Sequence, residues 1–222
     1  MSLNKVIAID GPAAAGKSTI AKMVAQRLGY VYVDTGAMYR ALTLKAIRQG
    51  IDVMDGAVLA KLLDDTEILL TENKEVFLDG EDVTDAVRES VISQNVSAVA
   101  AHKGVREELK ERQVKYAQTH NVVMDGRDIG THVLPGADFK VFMTASVDVR
   151  AQRRYKENLE RNIPSDLETL KDEIRRRDEF DSNREHAPLL KAKDAVEVDT
   201  SAMTIEEAVE AIINLTKGGK NK

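Results

Sequence analysis

The chain has 222 residues, no cysteine, 43% apolar and 31% charged side chains, and a formal charge of −5. That is room for one α/β domain with an inserted subdomain, and enough apolar side chain to build its core. Disulfides, zinc fingers and a thiol nucleophile are excluded, a reducing compartment fits, and the net charge argues against a nucleic-acid binder.

Met1-Ser2-Leu3-Asn4-Lys5 runs directly into Val6-Ile7-Ala8-Ile9. That apolar run has a strand's length. It is too short for a signal peptide or a bilayer span, so a soluble, cytoplasmic protein is expected. Buried strands are predicted at Val6–Asp10, Tyr30–Asp34, Val122–Asp125, Phe139–Thr144 and Ala195–Asp199. Helices are predicted at Lys17–Leu28, Ala37–Arg48, Val147–Leu159, Leu167–Phe180 and Ile205–Leu215. Strand alternating with helix implies a parallel five-stranded sheet flanked by helices, with ligands beyond the carboxyl ends of the strands. Four of the five strands end on or next to an aspartate: Asp10, Asp34, Asp125 and Asp199. Each could line a ligand site or simply cap a helix or form a turn.

Between Asp52 and Ala101 the alternation breaks. Glu67–Leu70 and Glu75–Leu78 flank Thr71-Glu72-Asn73-Lys74, a hairpin pattern. A long amphipathic helix starts near Val91, with Ile92, Val96 and Val99 at helical spacing. The segment reads as a small α/β insert. The end of the chain, Gly218-Gly219-Lys220-Asn221-Lys222, has nothing to bury, and residues 217–222 are expected to be disordered.

Gly11-Pro12-Ala13-Ala14-Ala15-Gly16-Lys17-Ser18-Thr19 fits the phosphate-loop pattern G-x-x-x-x-G-K-S/T without a mismatch. Glycines let the backbone turn its N–H groups toward phosphate oxygens, and the following helix offers its positive N-terminus. Lys17 can reach the β- and γ-phosphates, and the Ser18 hydroxyl can hold Mg²⁺. The loop follows an apolar strand and opens a helix with Ile20, Val24 and Leu28 on one face. A GTPase would carry an Asn-Lys-x-Asp guanine reader, but Asn73-Lys74 is followed by Glu75-Val76. A transport or mechanical ATPase would end a strand in Asp-Glu, but Asp125 is followed by Gly126-Arg127-Asp128. A small-molecule kinase remains, and it needs a second anionic pocket facing the loop.

Three segments can build that pocket. Thr35 and Arg40 follow the second strand, where an arginine can grip a phosphate bidentately, although a solvated Arg40 fits as well. Asp125-Gly126-Arg127-Asp128-Ile129-Gly130-Thr131 leaves a buried strand at the ligand edge, or forms a tight turn with a surface ion pair. Arg177, Asp181 and Arg184 share one helix face if the helix runs that far. Arg150, Arg153 and Arg154 form a similar stripe. Nearby carboxylates permit a charged, solvated face, but eight arginines against two lysines between residues 150 and 184 favour phosphate recognition. The segment could be a lid that excludes water from phosphoryl transfer.

Together Gly11–Thr19, Asp34–Arg40, Asp125–Thr131 and Arg177–Leu189 resemble the bacterial-type cytidylate kinases, of the nucleoside-monophosphate kinase family of P-loop kinases. The likeness covers nearly the whole chain. It implies a core of about residues 1–50, 102–155 and 190–216, an acceptor-binding insert of about 51–101, and a helical lid of about 156–189. It implies ATP, with Mg²⁺, as phosphoryl donor and CMP or dCMP as acceptor. Arg40 and Arg127 resemble residues that hold the acceptor phosphate. Thr35, Ser97, Arg106, Asp128 and Arg184 match the cytosine pocket, and Arg177 and Asp181 match groups at the sugar. Arg153 resembles a lid arginine near the donor phosphates. Lys17, Arg127, Arg153 and Arg177 would spread the charge of the moving phosphoryl. Some relatives have serine at Thr35, which keeps the hydroxyl.

Ser97 and Arg106 lie on opposite sides of one straight helix, so a shared pocket requires a break, and Gly104 could end a helix in a left-handed cap. The histidines His102, His120, His132 and His186 lack metal-ligand spacing. Small-molecule partners and a monomer are expected. A kinase for another monophosphate or a small hydroxyl acceptor stays open, as does a nucleotide-binding regulator without turnover.

Overall fold

The computed structural model describes residues 4–71 and 75–217. Strand β1 (Val6–Asp10) leads through the phosphate loop into α1 (Lys17–Leu28), β2 (Val31–Asp34) and α2 (Thr35–Arg48). Helix α3 (Gly56–Asp64) follows, then β3 (Ile68–Leu70), β4 (Val76–Leu78), β5 (Glu81–Asp82) and α4 (Ser90–Val99). Helix α5 (Lys103–Thr119) returns the chain to the main sheet at β6 (Val122–Gly126). Strand β7 (Phe139–Thr144), α6 (Val147–Glu160), α7 (Leu167–Asn183), β8 (Val196–Asp199) and α8 (Ile205–Lys217) complete the order.

The main sheet has five strands in the order β2-β6-β1-β7-β8. Every neighbouring pair is parallel, with Val6 opposite Val122 and Asp10 opposite Gly126. Parallel strands need crossover helices, and these cover both faces. Ile7, Ile9, Val123 and Val141 pack against Ile20 and Val24 of α1 and Ile212 and Ile213 of α8. Ala8, Val33, Val122 and Met124 face the other way, onto Ala117 of α5 and Ile129. The carboxyl ends of β1, β2 and β6 therefore lie side by side, and the phosphate loop and the segments beginning at Thr35 and Arg127 leave from that edge.

The predicted strands appear with small changes at their ends. Helix α2 begins at Thr35 rather than Ala37, because the Asp34 side chain accepts from Ala37 N at 2.9 Å and caps the first turn. Helix α8 reaches Lys217, one residue into the segment expected to be disordered; Gly218–Lys222 lie outside the described residues. The expected hairpin forms, with Ile68 opposite Leu78 and Leu70 opposite Val76; its connecting Glu72-Asn73-Lys74 lie outside the described residues. A third short strand, β5, extends it through a turn with Asp79 at φ 50° and Gly80 at φ 84°. An Asp-Gly pair is the sequence signature of that turn.

The helix expected from Val91 is two helices. The break falls at Ala100–His102, and Gly104 lies inside the first turn of α5, not in a left-handed cap. Its missing side chain serves packing instead: a Cβ there would sit 3.1 Å from the Ala60 Cβ on α3. His102 stands at the break and donates from Nε2 to the Val53 carbonyl at 2.9 Å.

Candidate active site

The phosphate loop is anchored by its own backbone. Gly11 has φ 152°, and a Cβ there would lie 2.0 Å from the Met143 carbonyl oxygen, so no other residue fits. Lys17 opens α1 yet is only 5% exposed, and its ammonium donates to the Pro12 carbonyl at 2.7 Å. Burial, then the nearby Arg127 charge, holds its pKa well below the usual lysine range. Arg153 donates from Nη1 to the Ala15 carbonyl at 3.2 Å and from Nη2 to the Thr200 carbonyl at 2.7 Å. Thr19 is exposed on α1 and takes no part in this packing.

Asp125, at the end of β6, lies under the start of α1. Ser18 Oγ donates to Asp125 Oδ2 at 2.9 Å, and Tyr32 OH donates to Asp125 Oδ1 at 2.7 Å. Burial, then the Asp34 charge, pushes the Asp125 carboxyl up to about 6. Thr35 Oγ1 donates to the Asp125 backbone carbonyl at 2.7 Å. Asp10 is buried as well and accepts from Ile129 N at 2.8 Å and Gly130 N at 2.7 Å. It ties the strand that feeds the phosphate loop to the segment that carries Arg127 and Asp128.

Facing the loop is a cluster of guanidinium groups. Arg40 donates to Asp34 Oδ2 at 3.0 Å, and Arg127 donates from Nε to Asp181 Oδ2 at 3.0 Å. Arg106 donates to Asp128 and, from Nη1, to the Ala100 carbonyl at 2.9 Å. The Arg106 guanidinium carbon also stands 5.6 Å from the Tyr39 ring centroid, a cation–π distance. Arg184 lies past the end of α7, not within it. Its Nη2 is 3.6 Å from Asp128 and its Nη1 3.9 Å from Asp181. Burial, then repulsion from Arg127, lowers Arg177 to about 10. Burial works to raise Asp181, but the charges of Arg127, Arg177 and Arg184 outweigh it and hold its carboxyl below the usual range.

The cluster has spare donors. Arg40 Nε, Arg106 Nε, Arg177 Nε and Arg184 Nη2 are buried and have no hydrogen-bond acceptor among the described residues. Buried donors are rarely left unpaired, so these four mark a place made for an anion or a polar ring. Ser97 is half-buried on α4, and no hydrogen bond links it to the cluster. The helix break lies between it and Arg106, two residues earlier than the Gly104 reading required. Among the described residues no group of histidine, aspartate and glutamate could hold a metal by itself.

Part of the arginine stripe is plain surface charge. Arg154 pairs with Glu157 at 3.4 Å and Arg175 with Asp172 at 2.8 Å, all on solvated faces. Arg150 is different: it is buried, and donates from Nη1 to the Ala13 carbonyl at 3.0 Å. Tyr32, Asp178 and the support given by Arg150 are additions to the expected site. Arginine spacing singled out Arg150, but no local pattern connects it with a loop so far away in sequence.

The family model described as cytidylate kinase matches residues 7–218. The chain is 57% identical over 212 residues to the cytidylate kinase of Geobacillus kaustophilus, covering 94% of this chain and 95% of that one. It is 54% identical over 214 residues to the cytidylate kinase of Shouchella clausii, covering 95% of both. The solved structure of an uncharacterized protein from Eubacterium ventriosum overlays with a TM-score of 0.52 at 13% identity, covering 96% of this chain and 99% of that one; that is a likeness of fold alone. Identity above one half, sustained from the phosphate loop to the last helix, settles the kinship: this chain belongs to the cytidylate kinase family.

Proposed function

We propose that the protein transfers the γ-phosphoryl group of ATP to CMP, and to dCMP, giving ADP and CDP or dCDP. The observation that carries this reading is the row of guanidinium groups whose buried N–H donors lack a hydrogen-bond acceptor among the described residues, opposite a complete phosphate loop. Phosphoryl transfer needs alignment and charge neutralisation rather than a covalent nucleophile. Lys17 reaches from the loop toward the donor phosphates, Arg153 braces the loop from α6, and Arg127 and Arg177 supply charge from the acceptor side. Arg40 and Arg127 hold the acceptor phosphate, Arg177 and Asp181 the sugar. Thr35, Ser97, Arg106, Asp128 and Arg184 form the pocket for the base. Residues of about 51–101 make the acceptor-binding insert and about 156–189 the lid. A monomer is part of the same reading, to be checked by its mass in solution, and its small-molecule substrates suit a cytoplasmic enzyme.

The site also fits Mg²⁺. An oxygen-only pair, the Ser18 hydroxyl and the Asp125 carboxylate, lies at the loop, and oxygen donors of this kind suit that ion. Ser18 would hold the ion, with Asp125 beside it, and the ion would offset charge on the β- and γ-phosphate oxygens.

Release of ADP measured across CMP, dCMP, UMP, AMP, GMP and shikimate tests the reading. CMP and dCMP should be the best acceptors. Equal rates with every monophosphate would remove the base assignment, and ATP binding without ADP from any acceptor would indicate a regulator. Arg40→Ala and Arg127→Ala test the acceptor end separately. Each should lower kcat/KM for CMP about 10- to 100-fold, a charge-assisted contact being worth about 1.5–3 kcal/mol, and leave the ATP dissociation constant within about twofold. A raised ATP constant with unchanged CMP kinetics would move these arginines to the donor side.

A further inference from the structure

The phosphate loop is held at Ala13 from outside. Ala13 N donates to Asp178 Oδ1 at 3.3 Å, and the Ala13 carbonyl accepts from Arg150 Nη1 at 3.0 Å. The same Arg150 nitrogen stands 2.6 Å from Asp178 Oδ2, and Arg150 Nε donates to the Ala145 carbonyl at 2.9 Å. One loop residue is thus gripped on both backbone polar groups by an ion pair whose members sit on different helices, α6 and α7. The next residue, Ala14, has φ 56° and packs on the apolar cluster of Ala151, Leu170 and Ile174 from those two helices. A non-glycine residue in the left-handed region persists only where its surroundings hold it there.

Arg150 and Asp178 could be no more than an adhesive between α6 and α7. But the two helices already share the apolar cluster, and the ion pair closes on the loop. Asp178 also directly follows Arg177. Successive helical residues point about 100° apart, so one turn of α7 touches the phosphate loop with Asp178 and the guanidinium cluster with Arg177. We propose that Asp178, acting with Arg150, is a positioning residue that fixes the shape of the phosphate loop and ties it to α7, making α7 a crossbar between the donor and acceptor halves. The inference rests on the phosphoryl-transfer reading above. Its consequence is energetic coupling: occupation of the loop orders α7, which presents Arg177 to the acceptor.

The experiment measures dissociation constants by calorimetry for CMP and for a non-transferable ATP analogue, each alone and with the other present. In the wild type each ligand should tighten the other about fivefold or more. In Asp178→Asn the coupling should fall to within about twofold of none, and kcat about tenfold or more, while the CMP constant measured alone stays near wild type. Asp166→Ala is the control. Asp166 caps α7 by accepting from Thr169 N at 2.8 Å and does not touch the loop. Its loss should lower Tm and leave coupling intact. Where Asp178→Asn fails to fold, the double variant Arg150→Met/Asp178→Leu removes both charges together and carries the same expectation. Wild-type coupling in a folded Asp178 variant, equal loss in Asp166→Ala, or no coupling in the wild type would each overturn the proposal. Binding without ADP formation by the wild type would instead count against the phosphoryl-transfer reading.

Discussion

Lys17→Met should fold and lose kcat by about a hundredfold or more, equivalent to about 2.7 kcal/mol of transition-state stabilisation. Among the described residues the buried ammonium has one hydrogen-bond partner, the Pro12 carbonyl; burial and then Arg127 disfavour its charge, and Asp125 and Asp10 offset them only in part. A buried cation that its neighbours compensate only in part weakens the fold. Methionine has a similar length and no charge, so Tm should hold or rise while turnover collapses. That opposite movement separates a role in transfer from a role in folding. Near-normal kcat would sink the assignment. A fall in Tm matching the fall in activity would make Lys17 a structural anchor of the loop.

Asp128→Asn should collapse the preference for CMP over UMP that the proposed site predicts. Cytosine offers an amine donor beside a ring acceptor, whereas uracil offers a carbonyl and a ring N–H, so a selective pocket needs an acceptor next to donors. In the proposed site Asp128 is that acceptor, with Arg106 and Arg184 as its neighbours. A site built to pair one hydrogen-bonding edge rejects the other because its own buried groups are left unpaired. The ratio of kcat/KM for CMP to that for UMP should fall about tenfold or more, as expected for loss of a charge-assisted hydrogen bond. Asp128→Ala should do the same and should also destabilise, because it takes from buried Arg106 its paired carboxylate and leaves Arg184 with Asp181 alone. Equal loss with both acceptors would mean that Asp128 orders its arginines and does not read the base. Those arginines are Arg106 and Arg184; the adjacent Arg127 turns away and pairs with Asp181.

Features whose cause is local were legible in the sequence. The phosphate loop needs its glycines within nine residues of one another, and the buried parallel strands announce themselves as short β-branched runs. The strand-end aspartates show where that legibility stops. Asp199 proves to be a turn former, accepting from Ser201 N at 2.9 Å, and Asp34 does two things at once, capping α2 and accepting from Arg40. Asp10 and Asp125 look the same in sequence, yet both are buried against the site. Their difference arises from the neighbouring strands. Gly104 was misread because glycine near a helix boundary has two uses, a left-handed cap or a close approach, and α3 decides between them from far away in the chain. Asp178 gave no local sign at all, since its partners Ala13 and Arg150 meet it only after α6 and α7 have packed.

The strand order described above also governs how the protein is made. Central β1 is synthesised first, but its two neighbours arrive late: Val6 pairs with Val122 and Ile7 with Phe139. On the ribosome and in the refolding vessel alike, β1 must wait for most of the chain, and long-range parallel pairing is slow because loop closure precedes any reward from contact. The small sheet of β3, β4 and β5 needs no such wait, since its strands are close in sequence. Late formation of the phosphate loop in refolding is the expected consequence, since the strands on either side of β1 close on it late. Recovery of phosphate-loop binding during refolding should therefore report the finished sheet, and a chain truncated before β6 should not bind the nucleotide.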